Sequence, residues 1–164
     1  MTTEKNLAAA FAGESQANRK YLAYAKQADA EGYTKIAKLF RATAEAETIH
    51  ALAHFKNMGM IKSTAENLKA AIAGETFEYS EMYPEFIKVA DADGSNASIK
   101  RAFHLANEAE KVHAELYGKA LANLEAKGSE DFYLCTVCGH IHEGSAPEVC
   151  PICGAKKQAY TKID

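Results

Sequence analysis

The chain has 164 residues, 25% charged and 48% apolar, with a net charge of -3. That length suits one domain of ordinary size with room for a small module, and the composition is usual for a soluble globular protein. The small negative charge offers no attraction to nucleic acid or to an anionic membrane surface. No apolar run approaches the roughly 20 residues of a membrane span. The opening MTTEKNLAAAFAGES has neither the basic segment nor the long apolar core of a secretory signal. All four cysteines lie in the final 30 residues, as two close pairs. The lack of a secretory signal favours the cytoplasm, and in a reducing compartment such pairs serve more often as metal ligands than as disulfides.

Residues 4–31 read as a first helix. Leu7, Phe11, Glu14, Asn18, Tyr21, Ala25 and Ala28 follow at intervals of four and three, the spacing of one buried seam. Glu31-Gly32 ends it. A second helix over 34–58 places Ile36, Phe40, Thr43, Glu47, His50 and His54 on one seam, and Gly59 closes it. A third segment runs from Ser63 or Thr64 to about 92. Thr64 is followed at three by Asn67, which predicts a plain cap and no capping box. Gly74 and Pro84 interrupt this segment, and Pro84 predicts a bend because it removes the bond to the carbonyl of Ser80. The turn-rich stretch 91–96 precedes a fourth helix over 97–127 with Ile99, Phe103, Ala106, Glu110, His113, Tyr117, Ala120 and Leu124 on its seam. The polar stretch 127–131 is the expected linker. The expected domains are 1–128, a four-helix bundle, and 129–164, a small β module of different composition.

A charged residue interrupts the apolar stripe of each long helix at mid-length. The residues are Glu14; Glu47 and His50; Glu78 and Glu81; Glu110 and His113. A spacing of three puts both members of a pair on one helix face. Glu14 and Glu47 are 33 residues apart and Glu78 and Glu110 are 32 apart, which suggests two helical hairpins related by a pseudo-twofold. Two Glu-x-x-His helices with two Glu-bearing helices form the ligand pattern of a di-iron carboxylate bundle. Buried carboxylates without compensation are prohibitively costly, and oxygen and imidazole donors suit iron or manganese. Glu75, three residues before Glu78, is the most ambiguous of the remaining acids. His104, His140 and His142 are assigned to the surface.

Cys135-Thr-Val-Cys138-Gly139 and Cys150-Pro-Ile-Cys153-Gly154 are two CxxC knuckles, and such a pair forms a tetrahedral four-thiolate site. The glycine after each knuckle permits the turn that brings backbone amides toward sulfur. Spacing does not separate iron from zinc. The carboxylate site favours iron, since two-electron chemistry needs an entry point for electrons.

FAGESQANRKY (11–21), AEAETIH (44–50), GETFEYSEMYP (74–84), NEAEKVH (107–113) and CTVCGHIHEGSAPEVCPICGA (135–155) resemble the signatures of the rubrerythrin family along essentially the whole chain. The resemblance implies a ferritin-like di-iron bundle holding two iron ions, joined to a rubredoxin-like domain with one iron on Cys135, Cys138, Cys150 and Cys153. It implies a cytoplasmic hydrogen peroxide reductase in oxidative stress defence. The implied electron donor is an external rubredoxin or an NAD(P)H-dependent reductase. It further implies that Glu81 and His50 alternate as ligands of one iron, that Tyr21 donates a hydrogen bond to a ligand carboxylate, and that the chain forms a homodimer with possible helix exchange hinged near 91–98. The short linker is compatible with transfer from the cysteine module of one chain to the bundle of another. Two other classes stay open: a dioxygen-using oxidase or ferroxidase, and a non-enzymatic electron-transfer protein with zinc on the cysteines.

Overall fold

The computed structural model describes residues 2–126, 128 and 130–164. Lys127 and Ser129, in the expected linker and at the expected end of the fourth helix, lie outside the described residues. The chain is mainly α with a small C-terminal sheet, and it divides into two compact units, Met1–Lys62 and Ser63–Asp164.

The first unit is a pair of long helices, α1 (Thr3–Ala30) and α2 (Thr34–Asn57). Thr2 caps α1 by accepting from the Lys5 N–H, and Gly32 takes φ 83° in the tight connection, a conformation open to glycine at little cost. Ala37, Ala44 and Ala51 recur at intervals of seven on α2 and are buried, as are Ala25 and Ala28 on α1. Small side chains let the two backbones approach closely. Asn18 bridges the helices: its Nδ2 donates to the Ala44 carbonyl at 2.7 Å and to Thr48 Oγ1 at 2.8 Å. Phe11 and Phe55 stack at 4.9 Å between ring centroids. The expected α2 seam is displaced by one residue where it begins, because Ile36 is half exposed while Ala37 is fully buried.

The second unit holds α3 (Thr64–Phe77), α4 (Tyr83–Ala92), α5 (Ala97–Ala122) and three strands. Ser63, not Thr64, is the N-cap of α3. That register puts Glu66 three residues on, and a full capping box forms, contrary to the plain cap expected from Thr64. Gly74 lies within α3 without interrupting it. The expected break at Pro84 takes a specific form. Residues Glu78–Met82 make one π-helical turn in which the Tyr83 N–H donates to the Glu78 carbonyl, and Pro84 comes next, at the start of α4, where its missing N–H is not needed. Asn96 caps α5 by accepting from the N–H groups of Ser98 and Ile99.

The module at the end of the chain is an antiparallel sheet of β1 (Phe132–Cys135), β2 (Ile141–Glu143) and β3 (Tyr160–Ile163) in the order β2-β1-β3. Leu134 pairs with Ile141 on one side, and Cys135 pairs with Tyr160 on the other. Among the described residues no helix is long and apolar enough to cross a membrane.

Candidate metal centres

In the first unit, ligand atoms of Glu14, Glu47 and His50 all lie within 4.8 Å of one another. Glu47 Oε2 is 2.9 Å from His50 Nδ1. Three residues on an α-helix nearly complete one turn, so the pair meets on one face. The Asn18 bridge to Ala44 and Thr48 sits beside this cluster and fixes the level at which α1 presents Glu14 to α2. Tyr21 packs its ring against Tyr24 and Phe40, with centroids 6.3 and 6.2 Å away.

In the second unit the matching cluster is Glu75, Glu110 and His113, again within 4.8 Å. The structure therefore brings Glu75 to the α5 pair, where the sequence pointed to Glu78 and Glu81. Glu78 is half-buried, one α-helical turn beyond Glu75, and Glu81 is exposed. The π turn bears on Glu81. It accommodates one residue more than an α turn, so the residues beyond it are rotated by roughly 100° relative to an uninterrupted helix. Tyr83, which sequence reasoning missed, lies near these acids. Burial and then the charges of Glu110, Glu78 and Glu75 hold its phenol above the usual range.

Glu75 Oε2 is buried and takes no hydrogen bond, although His113 Nδ1 is 3.5 Å away. Burial, and then the neighbouring Glu110 carboxyl, raise the Glu75 pKa, against a smaller pull downward from His113. A buried carboxylate oxygen with no partner is costly, and a cation at this point would relieve it.

His113 is held at both nitrogens. Nδ1 is 2.7 Å from Glu110 Oε2, and Nε2 is 2.9 Å from the carbonyl oxygen of Gly139. A carbonyl only accepts, so Nε2 carries a hydrogen, and Nδ1, against Glu110 Oε2, is the nitrogen that a metal among the carboxylates would take. This is how outer partners orient a metal-binding histidine. Gly139 belongs to the first cysteine knuckle, and a Cβ built there would sit 3.9 Å from that of Ala109 on α5. The knuckle thus rests on the helix that carries His113, within a single chain.

Cys135, Cys138, Cys150 and Cys153 are unpaired as disulfides and their ligand atoms converge within 4.8 Å. The Cys135–Cys153 and Cys138–Cys150 sulfur separations are 3.7 and 3.6 Å. The two knuckles are built alike. The Gly139 N–H donates to the Cys135 carbonyl and the Gly154 N–H to the Cys150 carbonyl, with φ 83° and 76° at the glycines. Cys135 and Cys150 are almost completely buried. Burial pushes the Cys138 thiol up. At Cys150 burial acts in the same direction, but hydrogen bonds from the Cys153 backbone, the Tyr160 hydroxyl and the Ile152 backbone outweigh it and bring the thiol down to about 6. Four crowded sulfurs that form no disulfide are the donor set of a tetrahedral thiolate site. His140, expected at the surface, is 5% exposed, and its Nδ1 lies 2.7 Å from the Tyr160 hydroxyl. Burial, and then His142 and His113, hold its pKa below the usual histidine range.

A helical scaffold bearing matched carboxylate–histidine clusters, together with a four-thiolate module, defines a metalloprotein with two kinds of site. Residues 5–121 match the family model Rubrerythrin, and residues 133–161 match Rubrerythrin, rubredoxin-like domain. The chain is 41% identical over 174 residues to nigerythrin of Nitratidesulfovibrio vulgaris, covering 98% of this chain and 86% of that protein. It is 38% identical over 184 residues to Rubrerythrin-1 of Clostridium acetobutylicum, with coverage of 98% and 93%. A solved structure of fully reduced, all-ferrous nigerythrin matches with a TM-score of 0.61 at 39% identity, covering 99% of this chain and 87% of that one. The chain belongs to the rubrerythrin family. Its cofactors are accordingly a di-iron centre with carboxylate and histidine ligands and an iron ion on the four cysteines, and the donor sets described above fit both.

Proposed function

We propose that this oxidoreductase reduces hydrogen peroxide to two waters, consuming two electrons and two protons, in defence against oxidative stress. The observation that carries the reading is the double contact of His113. One imidazole touches the carboxylate cluster through Nδ1 and the cysteine knuckle through Nε2, so an electron-accepting site and an electron-supplying site share a residue.

We assign Glu14, Glu47 and His50 to one iron and Glu75, Glu110 and His113 to the other, with Glu78 as a further carboxylate on the face of Glu75. Bound there, the iron pair supplies two electrons and a Lewis acid for cleavage of the O–O bond. The chain's own residues do the rest. The carboxylates offset the metal charge and set its geometry. The Gly139 carbonyl holds His113 with Nδ1 turned toward the acids. Tyr83, whose phenol burial and the nearby Glu110, Glu78 and Glu75 hold above its usual range, is assigned as a hydrogen-bond donor to these acids. Tyr21, among the rings of α1 and α2, is assigned the same service to the other cluster. Glu81, exposed and past the π turn, is assigned no constant ligand role; any exchange with His50 is what its substitution tests.

Electrons enter through Cys135, Cys138, Cys150 and Cys153 from an external donor such as a rubredoxin, or from an NAD(P)H-dependent reductase. The reduced thiols suit the cytoplasm. The working domains are residues 1–128 and 129–164, and the working assembly is a homodimer. In support, Leu39, Ile49 and Leu52 of α2 are 65%, 68% and 57% exposed, apolar side chains that a second copy could cover.

The test is stopped-flow absorbance of the anaerobically reduced, iron-loaded protein mixed separately with peroxide and with air-saturated buffer. The expected result is faster return of the ferric-thiolate colour with peroxide. Faster return with dioxygen would make the protein an oxidase or ferroxidase.

A further inference from the structure

The rubredoxin-like module contains a polar chain that runs from a buried histidine, through a half-buried tyrosine, to one of the four cysteines. Its members are His140, Tyr160 and Cys150. His140 comes directly after the first knuckle and is 5% exposed. Its Nδ1 lies 2.7 Å from the Tyr160 hydroxyl, and the two rings stand nearly perpendicular, at 89° with centroids 6.0 Å apart. The hydroxyl in turn hydrogen-bonds Cys150, which is 2% exposed. The sheet sets this arrangement. Cys135 on β1 is in register with Tyr160 on β3, and the Cys135 N–H donates to the His140 carbonyl at 2.8 Å. The first ligand, the histidine and the tyrosine are therefore pinned to one another by the backbone.

Hydrogen-bond chemistry fixes the direction of the chain. A metal-bound thiolate has no proton, so it only accepts. Tyrosine has one hydroxyl hydrogen, which must go to the Cys150 sulfur. The tyrosine oxygen is then the acceptor for His140, whose Nδ1 carries a hydrogen. The order is imidazole N–H to phenol oxygen, then phenol O–H to sulfur.

We propose that Tyr160, held in place by His140, is a positioning residue that tunes the reduction potential of the four-cysteine iron by donating a hydrogen bond to Cys150. This rests on the reading that the cysteine site carries electrons. When the site gains one electron it gains no proton, so the added negative charge spreads onto the sulfurs. A donor aimed at sulfur is stronger against that extra charge and favours the reduced state. Hydrogen bonds to the sulfurs are among the factors that set such potentials. Burial strengthens the effect, because water cannot replace a lost donor at a sulfur this enclosed.

The experiment is redox titration of the iron-loaded full-length protein, following the ferric-thiolate absorbance. Tyr160→Phe keeps the ring and removes one oxygen, and its midpoint potential should fall below that of the parent. His140→Leu should lower it by a smaller amount, because Tyr160 keeps its hydrogen but loses its anchor. His140→Asn, which keeps a donor near the position of Nδ1, should restore much of the difference. If Tyr160→Phe does not accumulate as folded protein, His140→Leu carries the test. Coloured variants with unchanged potentials would overturn the tuning role and leave the electron-carrying role standing. A parent protein that stays colourless after iron loading and subsequent oxidation would overturn both.

Discussion

Glu75 is held by two opposed demands. Without metal its buried Oε2 has no hydrogen bond, and burial and Glu110 disfavour its charge. With metal that same charge is what the cluster needs. Glu75→Gln, which removes the charge and keeps the shape, therefore has opposite effects in the two states. In the metal-free protein it should raise the melting temperature, by an amount that grows as pH climbs above 4.5, the ordinary value for this group. The reason for that sign is that a raised carboxyl pKa means the folded chain holds a proton that the unfolded chain has released, so the stability owed to that proton is lost with rising pH. In the iron-loaded protein Glu75→Gln should weaken iron at this cluster about tenfold or more and cut peroxide turnover. Glu81→Ala should leave turnover within about twofold. Metal analysis and steady-state rates on both variants decide the matter; loss of turnover in the Glu81 variant alone would return the ligand role to Glu81. The ambiguity has a physical source. Glu75, Glu78 and Glu81 recur at intervals of three, so a continuous helical pattern gives no reason to prefer one pair. The π turn at Glu78–Met82, which no periodicity announces, rotates Glu81 relative to the face of Glu75. The Glu-x-x-His pairs were legible because each lies wholly within an unbroken α-helix, and the four cysteines because knuckle spacing is local. The Gly139 carbonyl was not legible, since it is a backbone atom 26 residues from His113.

Among the elements, caps and connections show the same division. Ser63 and Glu66 form the capping box at the start of α3, and this helix carries Glu75. Reading Thr64 as the cap hid the box by one residue, an error within the usual uncertainty of helix ends. Ser63→Ala should cost about 1 kcal/mol, measured by chemical denaturation of the metal-free protein, with little effect on Glu75 itself because the cap lies three turns away. A loss below about 0.3 kcal/mol would show that the start of α3 is held by packing alone. The α1–α2 pair was legible in its spacing but not in its contact surface. The pattern favoured large side chains such as Ile36, whereas the buried line is Ala37, Ala44 and Ala51. Alanine is a weak signal in a hydrophobic pattern, and close helix approach selects it for size.

At the scale of the whole molecule, the exposed apolar residues of α2 bear on assembly. Ile49 flanks His50 directly and is 68% exposed. Covering such a side chain is worth about 1.5–3 kcal/mol, so Ile49→Glu should weaken a homodimer by roughly ten- to a hundredfold. Sedimentation analysis of the iron-loaded parent and the variant is the measurement. A parent that stays monomeric at micromolar concentration would rule out the dimer. The mainly-α class, the small β module and the two kinds of metal donor were legible in spacing and composition. The division at Lys62 and Ser63 was not, because a boundary between compact units depends on which surfaces meet, and periodicity records only which residues avoid water.

The contact between His113 and the Gly139 carbonyl joins an imidazole to the main chain. Nothing in it depends on a side chain of the cysteine module. What it demands of the module is a backbone path, with φ 83° at Gly139 to turn the chain there. The coupling is therefore generic on one side and particular on the other, like a socket that accepts any plug with the right pin. A module can drift in surface charge and loop composition, and so change the donor it accepts, without rewiring the bundle it serves.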